Sequence, residues 1–371
     1  MPTTVATSPQ PGTPQRMSSD VPAPGSGRLP PSSGVRRLTR QVLERQEAVI
    51  ALVGVALLVF FTIESQYFFT NANAQTMAAY IAPIAFFAIA EVLILILGEI
   101  DLSVGEVYVL SPFIVMHLNN IGIPVLAGVV GSLLICCFIG AVNGFITVKL
   151  HVPSFITTLG MTFALEGIIL IGSNGAPAVP VGTGWLPDFM GLWTWSEAIW
   201  ALVIVALMHV LLRRTSFGLH TIATGGNLQS ARESGIKVDV IKIWCFVMCS
   251  LLGGLMGILD GWHIGAIDPA TDGLSFMFYG VSAAVLGGTA LTGGRGTMIG
   301  ACIGAMVLGI LEDGFHIMGV NSFAYDLVLG IAILAAMILN IQLERAGLRR
   351  RGSFARAVNL MFARRKAPVG R

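Results

Sequence analysis

Of the 371 residues, 54% are hydrophobic and 11% charged, and the mean hydropathy is +0.79; soluble domains carry roughly 25% charged residues. That excludes an ordinary soluble domain and makes the chain an integral membrane protein, while a net charge of +2 says little by itself and no nucleic-acid partner is expected. The first 46 residues hold 8 of the 17 prolines and no apolar run, so 1–46 reads as a disordered tail that neither buries a core nor acts as a signal peptide. Ten apolar spans follow, near 47–65, 75–97, 104–118, 122–148, 153–172, 197–212, 241–261, 276–290, 298–311 and 323–341, each set against the roughly 20 residues that cross a bilayer. The 42 residues from Val107 to Val148 contain no Asp, Glu, Lys or Arg and hold two passes, broken at Asn119-Asn120-Ile121-Gly122. The sequence thus predicts an all-α, polytopic fold of about ten transmembrane helices over 47–343, followed by a basic tail over 344–371.

The basic residues fix an expected orientation. With the amino terminus inside, the inner segments are the first tail, 149–152, 213–240, 291–297 and the last tail, and every Lys and Arg falls on or flanks them, among them Arg45, Lys149, Arg213, Arg214, Arg232, Lys237, Lys242, Arg295 and Arg345. Basic residues resist translocation, so both termini are expected in the cytoplasm. The outer loops carry acids instead, among them Asp188, Asp268, Asp272 and Asp313. The five cysteines lie in apolar stretches without zinc-site spacing and read as packing residues. The chain has no phosphate loop, no H-E-x-x-H and no G-x-S-x-G, and its six histidines are scattered. No metal, cofactor or catalytic activity is expected, so uphill movement of a solute would draw on an ion gradient or a partner.

"GEIDLSVGE", Gly98 to Glu106, separates spans two and three and carries three carboxylates. It is too short and too polar for an ordinary turn, so it predicts a helix interrupted inside the membrane, which survives only against protein or a watery cavity. Asp101 is expected to cap the restarting helix, with Ser103 beside it and Gly105 supplying unusual backbone. Glu99 and Glu106 are expected to line an aqueous path; the bland alternative puts all three acids in a cytoplasmic turn. A second Gly-rich interruption, Gly287 to Gly296, lies in the other half, and paired interruptions point to a transport pathway. Glu91, Glu166 and Asp260 are further acids in or near spans, either hydrogen-bonded structural groups or parts of that path. Gly253, Gly257 and Gly261, like Gly300 and Gly304, let helices approach closely, within one subunit or at a dimer seam.

The longest polar segment between spans, Arg213 to Ile243, contains a turn at Gly225-Gly226-Asn227 and a short helix, "LQSARES", ended by Gly235. It is either a lever or a solvated connector. Together "GEIDLSVG", "NGFITVKLHVPSFITTLGM", "TSFGLHTIATGGNLQSARESGI" and "VLGGTALTGGRGTMIGACIGAMVLGIL" resemble, over about 75–341, the permease subunit of ribose/xylose-type bacterial ABC sugar importers. The resemblance implies a homodimeric permease in the cell inner membrane, a cytoplasmic ATPase bound to the 213–240 coupling loop, and a periplasmic sugar-binding protein. It places the family's E-A-A-x-x-x-G docking signature on Gln229, Ser230, Ala231 and Gly235, with Arg232 and Glu233 between; the first two positions depart from the pattern. The rival from another class is an ion-coupled secondary transporter in which Glu91, Glu99, Asp101 and Glu106 carry protons.

Overall fold

The computed structural model describes residues 46–181 and 184–321 and, beyond them, positions 327, 328, 330, 331, 334 and 338. The tenth predicted span lies mostly outside the described residues, and both predicted tails lie outside them apart from Gln46. The described chain is helical from end to end: α1 Gln46–Glu64, α2 Asn71–Ile96, α3 Val104–Asn120, α4 Val125–Lys149, α5 Ser154–Ser173, α6 Trp185–Met190, α7 Ser196–Arg214, α8 Ser216–Gly226, α9 Leu228–Glu233, α10 Val238–Ile264, α11 Gly273–Leu286 and α12 Met298–Ile317. The only extended pairing among the described residues is a single antiparallel bridge between Ala178 and Ile267. Seven of these helices are long and apolar enough to cross a membrane, and α11 is a shorter apolar helix. This is an all-α, polytopic membrane protein.

Local chemistry sets the helix ends. Thr70 caps α2 by accepting the Asn73 N–H at 3.3 Å, Thr297 caps α12 through Gly300 N–H at 3.0 Å, and Asp272 caps α11 through Ser275 N–H at 3.1 Å. Pro124 and Pro153 precede α4 and α5, whose first turns have no use for their missing N–H. Asn174 and Gly265 end α5 and α10 in the left-handed conformation. α12 runs six residues past its expected end, so Asp313, expected in an outer loop, lies buried within that helix and accepts Asn73 Nδ2 at 2.7 Å.

Burial grades from centre to lipid. From Ala82 to Ile96 every residue of α2 is buried, as expected of a helix that is apolar all round. α10 packs lengthwise along α4, α3 and α2, and α12 covers α2 from the other side. Glycines make the close contacts: a Cβ on Gly140 would lie 2.5 Å from the Phe246 carbonyl oxygen, and one on Gly144 would lie 2.8 Å from the Ile243 Cα. Gly253 and Gly257 likewise face α3 at Val104 and Tyr108, and Gly304 faces Ala283 of α11; these glycines thus serve packing within one subunit. Leu134, Phe138, Phe163 and Leu202 point outward from α4, α5 and α7 and suit a hydrocarbon surround.

Two helices start inside the bundle. α11, at 14 residues, is about 21 Å long against a hydrocarbon core of about 30 Å, and its first residue, Gly273, packs backbone to backbone on Gly105 in the first turn of α3. From this shared point α3 runs toward the start of α4, where Gly128 meets Val115, while α11 runs the other way until Gly287 meets Gly300 at the start of α12. The second break inside the bundle is therefore the segment 265–272 before α11. The Gly-rich stretch Gly287–Gly296 is the turn between α11 and α12 at one end of the bundle.

Candidate functional site

The first interruption has defined chemistry. Gly98 takes φ +73 and turns the chain out of α2. Asp101 is fully buried, and its Oδ1 accepts both the N–H of Ser103 (3.0 Å) and the Ser103 hydroxyl (2.7 Å). Asn143 of α4 donates Nδ2 to Ser103 Oγ at 2.7 Å. The cap position of α3 is thus Ser103, and Asp101, expected to be the cap, stands two residues earlier and fastens it, the geometry of an Asp that bonds its own backbone two residues on. Gly105 has ordinary helical backbone; the unusual conformation expected of it belongs to Gly98. A side chain at Gly105 would overlap the carbonyl of Gly273, so its use is close approach. Glu91 of α2, fully buried, faces this knot from beside Asp101.

The two carboxylates expected to line a path have different neighbours. Glu99 forms an ion pair with Lys242 of α10, both side chains mostly buried, at 16% and 17% exposure. Glu99, expected to line an aqueous path, meets a basic group because Lys242 sits one turn inside α10. Breaking a mostly buried pair costs more than the pair contributes, so Lys242→Met should lower stability by about 1–3 kcal/mol and Glu99→Gln/Lys242→Met should recover most of it, read by thermal unfolding of the purified protein. Glu106 is buried in the first turn of α3, with Glu166 and Asp272 as its charged neighbours.

At the end of the bundle that carries all seven described Lys and Arg residues, three segments meet main chain to main chain. The carbonyl of Ile96, the last residue of α2, accepts Gly294 N–H at 2.8 Å. Gly225 of α8 packs on the same carbonyl, and Gly293, at φ +85, fits between it, the Gly225 carbonyl and Gly98. Arg232 and Lys149 both reach Asp239 at the start of α10, at 3.6 and 2.7 Å. The predicted short helix exists as α9, capped by Asn227 Oδ1 on Ser230 N–H at 2.9 Å and ended by Gly235 at φ +83. Gly225 and Gly226, expected in a turn, are the last helical residues of α8. Gln229, Ser230, Arg232 and Glu233 are exposed, with Gln229 Nε2 on Glu233 Oε1 at 3.0 Å, whereas Ala231 is 4% exposed and points into the protein.

The other end opens into a cavity of about 720 Å³ that no residue of Gly98–Glu106 lines, whereas Ala266, Ile267, Asp268 and Thr271 of the second break do. Its wall includes Tyr108, Glu197, Asp260, His263, Phe276 and Glu312. Tyr108 donates its hydroxyl to Asp260, Glu197 lies beside Asp260, and His263 Nε2 is 3.9 Å from Glu197. Tyr108 and Phe276 rings stand 5.6 Å apart over Phe87. Asp260 had been singled out as an intramembrane acid; Tyr108 and Glu197 gave no sequence signal, one being an aromatic in an apolar run and the other an ordinary acid in a helix's first turn. Among the described residues, no group of three His, Cys, Asp or Glu side chains converges as a metal site.

The family described as the permease component of branched-chain amino acid transport systems matches residues 73–337. The xylose/arabinose import permease of Sulfolobus acidocaldarius is 35% identical over 82% of this chain and 87% of its own length. The ribose import permease of Escherichia coli K12 is 33% identical over 83% and 97%, and the L-arabinose ABC transporter permease of Azospirillum brasilense 30% identical over 78% and 86%. The chain belongs to the ribose/xylose-type ABC importer permeases. No solved structure matches the permease. The matched residues of the permease begin in α2 and include both helix breaks, α9 and the cavity.

Proposed function

We propose that the permease is the translocation subunit of an ATP-driven importer carrying a neutral monosaccharide of pentose size across a bacterial inner membrane, with ATP hydrolysed by a separate cytoplasmic subunit. The single observation that best supports this is the convergence of α8, which leads into α9, on both the end of α2 and the 287–297 turn. A partner that pushes on the exposed face of α9 moves Gly225 against the Ile96 carbonyl, and through Arg232, Asp239 and Lys242 it reaches Glu99 at the interruption. Relatives whose names state xylose, arabinose or ribose import support the solute class. In this reading Gln229, Ser230, Arg232 and Glu233 meet the ATPase and buried Ala231 anchors the helix. Residues 47–343 form the permease domain with 213–240 as its coupling loop, and the tails 1–46 and 344–371 lie in the cytoplasm. A second copy completes the path, and a periplasmic binding protein delivers the sugar. Against a proton-coupled carrier stands the pairing of Glu99 with Lys242, which holds that acid away from a path.

The test is uptake of labelled D-xylose, L-arabinose or D-ribose by cells expressing the permease with the ATPase and binding protein encoded beside it. ATP-dependent uptake that disappears when the ATPase is inactivated is the expected result. Uptake driven by a pH gradient in vesicles lacking the ATPase would overturn it. Orientation is tested separately: single cysteines in 215–240 should react only from the cytoplasmic side and those in 174–195 only from outside. External labelling of the 215–240 loop would reverse the topology and remove the coupling argument with it.

A further inference from the structure

The outer cavity is built with one sign of charge. Among the described residues, Glu197, Asp260, Asp268 and Glu312 line it, no Lys or Arg does, and the sole imidazole on its wall is His263. Glu197 is only 2% exposed, and its oxygens, held against the Asp260 carboxyl, receive no hydrogen bond from any backbone group or donor side chain. A buried polar group without a partner is costly unless something supplies one. Beside it stand Asp260, with Tyr108 on one of its oxygens, and two aromatic faces, Tyr108 and Phe276. Acceptors at Glu197 and Asp260 whose basic neighbour is the His263 imidazole, next to apolar ring faces, match a solute that brings hydroxyl donors on one edge and C–H groups on its face. The volume, about 720 Å³, lies within the range of small-molecule sites.

We propose that Glu197 and Asp260, with Tyr108 and Phe276, form a subsite on the transport path that binds neutral polyols and turns away anionic sugars such as uronates and sugar phosphates. The inference rests on the importer reading and adds to it a place and a charge rule. Low-dielectric walls strengthen the field of these acids inside the cavity, so an anion meets repulsion before it reaches the aromatic floor, whereas a neutral sugar exchanges water for carboxylate acceptors.

The experiment uses the full-length permease in lipid nanodiscs with Thr271→Cys, a half-buried cavity position. None of the five native cysteines lines the cavity, and labelling is measured against the unsubstituted protein. Rates of modification by cationic 2-aminoethyl and anionic 2-sulfonatoethyl methanethiosulfonate are compared and normalised to a free thiol. We expect the normalised ratio to favour the cationic reagent at least fivefold, to fall as salt screens the acids, and to approach one in Glu197→Gln/Asp260→Asn. Excess D-xylose should slow modification at least threefold, and D-glucuronate at the same concentration should not. A ratio near one, protection by both sugars or by neither, or no modification at all would overturn the subsite. The wild-type ratio and its salt dependence decide the matter even where the double variant fails to fold. If the intact importer carries none of the three pentoses, the importer reading fails; if it carries one and Thr271→Cys gives any overturning result, the subsite alone fails.

Discussion

Asp101→Leu should leave almost no folded permease in the membrane, whereas Asp101→Asn should accumulate near wild-type levels. The buried carboxylate satisfies the Ser103 N–H and hydroxyl at once, and Ser103 in turn receives Asn143. Leucine strands two buried donors at roughly 1–3 kcal/mol each, a total of about 2–5 kcal/mol that falls on the start of α3 and its seat on Gly273. Asparagine keeps an acceptor oxygen in the same place and is as good as aspartate at helix starts, so its cost should stay within about 1 kcal/mol. Membrane yield and thermal unfolding in detergent measure both. A Leu variant as stable as wild type would show that the knot does not hold the broken helix.

The largest functional effect is expected at Gly225. A side chain there must occupy the space of the Ile96 carbonyl and lies 2.9 Å from Gly294 N, so Gly225→Leu should separate α8 from both the end of α2 and the 287–297 turn. Sugar uptake by the intact importer, and the ATP hydrolysis that sugar stimulates, should both fall more than tenfold, with overpacking itself costing about 1–3 kcal/mol. Gly226 is the control: nothing lies within 4 Å of a Cβ there, and Gly226→Ala should transport normally and gain up to about 1 kcal/mol of helix stability. Normal coupling in Gly225→Leu would remove this contact from the mechanism. Replacing Ala231, by contrast, perturbs packing before it perturbs any partner, so exposed Gln229 and Glu233 are the better reporters of docking.

Hydropathy made the helices legible because each pass must bury its own backbone in lipid, and eight spans appear within four residues of their expected ends, with α12 running six residues past its own. Asn227 and Gly235 marked α9 because capping and left-handed backbone are local chemistry. What stayed hidden is what local chemistry does not encode. Glu99 finds Lys242 across 143 positions and Tyr108 finds Asp260 across 152; apolar residues face both lipid and core, so no periodic stripe announces which helix faces touch. The start of α11 inside the bundle was missed for the same reason, since 265–272 reads like any outer loop. The resemblance to sugar permeases pointed to α9 and the interruption but not to the cavity, whose wall is drawn from helices scattered along the chain.

The junction of α2, α8 and the 287–297 turn on the Ile96 carbonyl is made of main chain, and this determines which experiments detect it. An alanine scan would pass over Ile96 with its carbonyl intact and report a silent position, whereas at Gly225 the added methyl would itself overlap that carbonyl oxygen, and at Gly293 and Gly294 it would strain left-handed backbone. Only additions reveal it. A series of glycine replacements of increasing bulk, or an ester in place of the Gly294 amide that deletes its N–H, would map the joint by the size it refuses and the donor it requires.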